Sequence, residues 1–175
     1  SGIRGSLKRE LSPVMILDFG ASGVRSSIVE HGVVRRFRAI NRGSAHLTSL
    51  LEKSLGLGFA EAEAKKKEIG INRKFEEEEA YKTISSGLNH VFSEIKNIIF
   101  DYEKEYRKPI SKIILTGGGS LLPGLRKELE SKYNITAVYA DPFDKVVSPD
   151  FLEDVLDKTG PEFAVAIGLA LQKLG

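Results

Sequence analysis

A continuous apolar run, Val14-Met15-Ile16-Leu17, is closed by Asp18-Phe19-Gly20-Ala21-Ser22-Gly23. An unbroken run of this kind suits a strand covered on both faces, and the small residues behind it are turn formers. A second strand is predicted over Val24–Glu30. His31-Gly32 then makes a tight turn into a third, Val33–Ile40, whose alternation is blurred by Arg35, Arg36 and Arg38. Three antiparallel strands therefore open the domain.

Helices follow. Ser44 is placed as the N-cap of a helix with Leu47, Leu50, Leu51 and Leu55 on one face, and Gly56 is its stop signal. Phe59–Ile69 reads as a second, charged helix ending at Gly70. From about Phe75 to Arg107 there is no proline, and Tyr81, Ile84, Leu88, Val91, Ile95, Ile98 and Tyr102 recur at spacings of three and four. That pattern predicts one long amphipathic helix; Phe92 and Ile99 widen its stripe beyond a coiled-coil seam and favour packing on a globular core. After Pro109 come a strand over Lys112–Thr116, a helix from Leu121 to about Tyr133, and a strand over Ile135–Tyr139. A last helix is predicted from Gly160-Pro161, apolar almost all round between Phe163 and Leu171.

Composition narrows the class further. In 175 residues there is room for one well-buried core with a small insertion, and 41% apolar with 29% charged residues is ordinary for a folded soluble domain. A net charge of +2 gives no reason to expect nucleic acid or an anionic membrane as partner. Without cysteine there is neither a disulfide framework nor a thiolate metal site, and three scattered histidines give no basis for zinc. The longest apolar run spans nine residues, about half of the roughly 20 that cross a bilayer, so no transmembrane segment is expected. Residues 1–13 read as a lead-in, and Ser1–Ser6 are left out of fold reasoning.

Three short motifs carry chemistry. Asp18 through Gly23 puts an acid at a strand tip before a small-residue hairpin: the backbone amides suit a phosphate and the acid a water on Mg²⁺, though a capped turn has the same composition. Lys112-Ile-Ile-Leu-Thr116 stops at Gly117, Gly118 and Gly119, where backbone can approach a flat ring or a phosphate, or simply turn tightly into a helix. It is no Walker loop, since no lysine followed by Ser or Thr is present at the required spacing. Glu63 and Lys66 stand one turn apart, which in isolation reads as a solvated ion pair worth a few tenths, roughly 0.2 to 0.5, of a kcal/mol. The acids Glu76 to Glu79 read as a first helical turn complementing the helix dipole.

Taken in order, "ILDFGASG" (16–23), "AEAKKKEIG" (62–70), "ILTGGGSLLPGL" (114–125) and "PEFAVAIGLAL" (161–171) resemble the C-terminal half, domain II, of an actin-like ATPase of the PilM and FtsA kind, with the PilM, type IV pilus assembly, branch the nearer likeness. The resemblance implies an α/β, ribonuclease-H-like half: a five-stranded mixed sheet with flanking helices and a mainly helical insertion. Residues 14–56 and 110–175 would form subdomain IIA and 57–109 the inserted subdomain IIB. It further implies ATP with Mg²⁺. Asp18 would be the catalytic residue, holding the metal through water, with Gly20, Ala21, Ser22 and Gly23 as the second phosphate loop. Glu63 and Lys66 would lie on the ribose side, and Gly117, Gly118 and Gly119 along adenosine.

Departures bear on these roles. Relatives often carry Ser or Thr straight after the first glycine of the phosphate loop; here Ala21 and Gly23 leave only Ser22, so phosphate contacts would be mostly backbone. Where relatives tend to have a second glycine and acids, this chain reads Gly43-Ser44-Ala45-His46. Few residues precede the Asp18 loop, so the N-terminal half with the first phosphate loop is expected outside this sequence, and the fragment alone is expected to be inactive. By the resemblance, that missing half grips an inner-membrane pilus assembly protein, and the whole is a cytoplasmic scaffold peripheral to the membrane. The alternatives are an FtsA-like cell-division membrane adaptor and a structural interaction module with a decayed nucleotide site. A ribonuclease-H-like nuclease is disfavoured because Leu115-Thr116-Gly117 stands where a second metal-binding acid belongs.

Overall fold

A computed structural model describes residues 12–72 and 77–140 of the chain. Strands β1 (Val14–Phe19), β2 (Val24–Glu30) and β3 (Val33–Ile40) come first, then helices α1 (Ser44–Leu55), α2 (Phe59–Ile69) and α3 (Glu78–Tyr106). Strand β4 (Lys112–Thr116), helix α4 (Leu125–Tyr133) and strand β5 (Ala137–Tyr139) complete the described order. The five strands form one mixed sheet in the order β3-β2-β1-β4-β5. β1 runs antiparallel to β2 and parallel to β4, and β4 runs parallel to β5.

The β2–β3 connection is a two-residue turn with His31 and Gly32 both at positive φ (52° and 76°), the handedness that matches the twist of a hairpin. β3 is an edge strand, and Val33, Val34 and Phe37 are all more than half exposed. A bulge between Ile28 and Val29 leaves Arg35 outside the register. The arginines that blur its alternation are therefore an edge left largely in water, where no buried face imposes a period.

Met15, Leu17 and Phe19 of β1, with Ile113 and Leu115 of β4, point to the face covered by α1, α3 and α4. There they meet Leu51, Ile84, Leu88, Ile95, Tyr102, Leu125 and Leu129 in one continuous core that also takes in Ala62 and Ile69 of α2. α3 spans 29 residues, about 43 Å at 1.5 Å per residue, and buries Ile84, Leu88, Val91, Ile95, Ile98 and Tyr102 as predicted. Phe92 and Ile99 are buried too, and the helix packs on this chain's own core. The opposite sheet face carries a smaller cluster of Val14 and Val29 with Ile16 and Ile114.

Three local expectations are corrected. Ser44 is the first helical residue and Gly43 the N-cap, without any side-chain cap. No hydroxyl is needed, because the amides of Ser44 and Ala45 donate to the carbonyls of Gly20 and Ala21, both at 3.0 Å. The helix expected from Leu121 begins only at Leu125: Gly118–Leu121 is a 3₁₀ turn, and Leu122 is extended (φ −54°, ψ 122°) because the following Pro123 disfavours the helical region. β5 starts at Ala137 and not at Ile135. The helix predicted from Gly160-Pro161 and the residue Glu76 lie outside the described residues.

Candidate functional site

β1 and β4 lie side by side and parallel, with Asp18 in register with Thr116, so both strands end at the same level. From β1 the chain departs toward β2 and β3, and from β4 toward β5. The carboxyl ends of this pair are the place in an open α/β sheet where the connections diverge and leave a crevice. The hairpin 20–23 and the glycine run 117–119 both arise there, brought together although roughly 95 residues apart in sequence.

The hairpin closes on itself through the Gly20 amide, which donates to the Gly23 carbonyl at 2.9 Å. Its outward carbonyls at Gly20 and Ala21 are taken by the start of α1. The amides of Ala21 and Ser22 have no acceptor among the described residues, and both residues are exposed. Gly43 seats α1 on the hairpin: a Cβ there would stand 2.3 Å from the Ala21 carbonyl and 2.4 Å from the Gly23 nitrogen. Gly43, given no role from the sequence, is thus what lets α1 reach the loop.

Asp18 stands at the strand tip, with its side chain 20% exposed and one carboxylate oxygen 3.5 Å from the Arg25 guanidinium. The pairing follows from register, since Arg25 lies opposite Asp18 on β2. Arg25 is 63% exposed, so the pair is weak and leaves the acid open to a cation's water shell.

The glycine run divides into two kinds of position. At Gly117 φ is 82° and ψ 152°, and an added Cβ would lie 2.5 Å from Asp18 Oδ1 and 2.6 Å from the Phe19 carbonyl. At Gly119 it would lie 2.9 Å from the same carbonyl. Both are glycine because the end of β1 occupies the space. Gly118, by contrast, is exposed and has no positive φ, so the fold itself does not demand it. Beneath the loops Phe19, Leu47, Gly119 and Leu122 help to line a void of about 10 Å³, room for little more than one water.

Glu63 and Lys66 are not the solvated pair that their spacing suggests. The Lys66 side chain is only 5% exposed, and its ammonium donates to Glu63 Oε2 at 2.7 Å, Thr48 Oγ1 at 3.0 Å and the Ser44 carbonyl at 3.1 Å. Three donors meet three acceptors, which makes a buried lysine tolerable. Glu63 keeps 28% exposure. Burial alone would raise the pKa of its carboxyl, but hydrogen bonds from Lys66 and Thr48 and the charges of Lys66 and Lys67 hold it below the usual carboxylate value. The sequence reading missed Thr48, a fully buried hydroxyl whose one signal is its place one turn beyond Ser44. A backbone bond from the Ile71 amide to the Pro123 carbonyl, 2.8 Å, ties the end of α2 to the segment behind the glycine run.

These elements coincide with a known family. Residues 6–174 match the profile of the type IV pilus assembly protein PilM. The chain belongs to the PilM family. Among solved structures it is similar to a PilM–PilN type IV pilus biogenesis complex, with a TM-score of 0.87 and 24% identity over 99% of this chain and 50% of that one. An MreB5 of Spiroplasma citri bound to AMPPNP aligns with TM-score 0.65 and 17% identity over 97% of this chain and 58% of that one. The ethanolamine utilization protein EutJ from Carboxydothermus hydrogenoformans gives 0.63 and 15% over 95% and 54%. No curated protein matches by sequence. The α/β, actin-like fold with its five-stranded mixed sheet is therefore that of the family, and this PilM-type chain spans about half the length of the structures it matches. Among the described residues no helix is long and apolar enough to cross a membrane.

Proposed function

We propose that the chain is the nucleotide-binding half of a PilM-like actin-fold protein, a cytoplasmic scaffold of type IV pilus assembly peripheral to the inner membrane. The observation that carries it is the pair of loops at the carboxyl ends of β1 and β4. The amides of Ala21 and Ser22 have no acceptor among the described residues, and Gly118 is exposed without positive φ, so the fold makes no demand on them. Such amides suit a polyphosphate, and Asp18, acid and partly open, suits a water on Mg²⁺. In this arrangement the amides of Ala21 to Gly23 hold phosphate, Glu63 offers its exposed carboxylate to the ribose hydroxyls, and Gly118 lies along adenosine. Mg²⁺, when bound, would neutralise charge on the phosphates. The MreB5 neighbour is bound to AMPPNP, which supports a nucleotide of this class.

In this reading residues 14–56 and 110–175 form subdomain IIA and 57–109 subdomain IIB, and an N-terminal half completes the site. That half meets the membrane partner, for which the PilM–PilN complex is the supporting precedent. The test is Gly118→Val in the longer protein. Two methyl groups in the ligand's space should abolish ATP binding while thermal unfolding stays at the wild-type temperature. Equal ATP affinity in both proteins refutes the assignment.

A further inference from the structure

Lys66 lies behind the site, and its three acceptors belong to two helices. Glu63 is on its own helix, α2, whereas the Ser44 carbonyl and Thr48 Oγ1 belong to the first turn of α1. Ser44 is also the residue whose amide holds the Gly20 carbonyl, with the Ala45 amide on that of Ala21. A continuous line of hydrogen bonds thus runs from the hairpin through Ser44 to the Lys66 ammonium and on to the Glu63 carboxylate. Thr48 braces it twice, accepting from Lys66 and donating to Glu63 at 2.5 Å.

We propose that Lys66 is a positioning residue that fixes the hairpin 20–23 relative to the Glu63 carboxylate and does not itself touch nucleotide. The nucleotide part rests on the function proposed above; the mechanical part rests on this chain's geometry alone. With one donor on each of Ser44, Thr48 and Glu63 and almost no exposed surface, the ammonium has no donor left for a ribose hydroxyl. What it supplies is a fixed point. A lysine in that place prevents α1 from sliding along α2, and because the Ser44 carbonyl and the Ala45 amide are two ends of one peptide group, it also keeps the Ala21 carbonyl of the hairpin on α1. The Glu63 carboxylate has Oε2 held by Lys66 and Thr48 and stays partly exposed, with Oε1 3.6 Å from the largely exposed Lys67 ammonium.

Two measurements test this, the first on the 175-residue chain. Hydrogen–deuterium exchange without nucleotide reads the mechanical part: in Lys66→Met the amides of Ser44 and Ala45 should exchange at least tenfold faster, while those of Ile84 to Tyr102 in α3 stay at wild-type rates. Thr48→Val, which keeps the lysine and its bond to Ser44, should accelerate the same amides by a smaller factor. It decides the matter where Lys66→Met also loosens α3. Unchanged exchange at Ser44 and Ala45 in a variant whose α3 is intact overturns the proposal. Binding of MgATP and of its 2′-deoxy analogue to the longer protein reads the second part. A positioning lysine acts on the ribose only through Glu63, so in a Glu63→Ala background Lys66→Met should leave the preference between them unchanged, whereas a direct ribose contact predicts a further loss of preference there, and that result also overturns it. If the longer protein binds neither nucleotide, the exchange rates alone decide whether Lys66 is a strut, and the nucleotide reading is judged separately by Gly118→Val.

Discussion

The three glycines that close β4 should behave oppositely on substitution, even with no nucleotide present. Gly117→Ala places a Cβ 2.5 Å from Asp18 Oδ1 and 2.6 Å from the Phe19 carbonyl, the second being backbone that cannot swing aside. Its φ and ψ, 82° and 152°, lie in a region held almost solely by glycine, at a cost of about 1 to 3 kcal/mol for any other residue. Overpacking against β1 adds about 1 to 3 kcal/mol. The sum, roughly 2 to 6 kcal/mol, is a large part of the 5 to 15 kcal/mol that hold a typical domain together. At about 2 to 4 °C per kcal/mol for a chain of this size, the melting temperature should fall by roughly 4 to 24 °C. Gly118→Ala, one residue on, is exposed and without positive φ, so it should change stability by no more than about 0.5 kcal/mol. Urea titration and thermal unfolding of the two variants beside wild type read the difference. Equal stabilities for the two variants would refute the division of the run into glycines kept for the fold and a glycine kept for a ligand.

Asp18→Asn in the longer protein should weaken MgATP more than metal-free ATP, since a charged acceptor of metal water is lost while the hairpin amides remain; calorimetry with and without magnesium checks it, and equal losses would leave Asp18 a turn cap. Acid should destabilise the chain through two carboxyls held below their ordinary value of 4.5: Glu30, by its hydrogen bond from Lys108 and the nearby Arg35, and Glu63, by Lys66 and Thr48 against the opposing effect of burial. Because both folded values are depressed, their stabilisation is complete above about 4.5 and is lost as pH falls through the folded values. Melting temperature should therefore drop below pH 4.5, and Glu30→Gln, followed by the same pH series, should flatten that limb. The 175 residues alone should bind ATP at roughly millimolar or weaker and show no turnover: losing two charge-assisted hydrogen bonds from an opposing half, at about 1.5 to 3 kcal/mol each, costs on the order of a hundred- to ten-thousand-fold in affinity. Micromolar binding in a calorimetric titration would show that one half is a complete site.

Elements with a strong period or firm punctuation were legible. The bounds of β2, β3, α2 and β4 coincide with those read from the sequence, because each is closed by a glycine, a tight turn or a proline. α3 shows its buried stripe along its whole length and needs no tertiary knowledge. What was misread has one long-range cause, at Ser44, and one local cause, at Leu122. Ser44 resembles an N-cap, yet the orphan amides of α1 are satisfied by a hairpin more than 20 residues upstream. The segment Leu121–Gly124 looks helical by composition, but its conformation is set by Pro123 acting on Leu122. β3 gave a blurred pattern because an edge strand in water has no inner face to record.

The candidate site separates along the same line. A glycine announces a need for space without saying what fills it; the residues left a tight turn and a ligand equally open, and the family resemblance placed all three along adenosine. The fold claims Gly117 and Gly119 for the end of β1, and claims Gly43, which carried no assignment, for the approach of α1 to the hairpin. Glu63 and Lys66 show the converse. Their spacing on one helix describes a surface pair, and nothing local states that Thr48 and the Ser44 carbonyl, from another helix, arrive at the same ammonium. Once they do, the lysine is enclosed and the glutamate is not, so two residues that read as one motif are left with different chemistry. The carboxylate stays partly exposed and can accept a hydroxyl, while the ammonium, its donors spent, can act on a ligand only through the residues it holds.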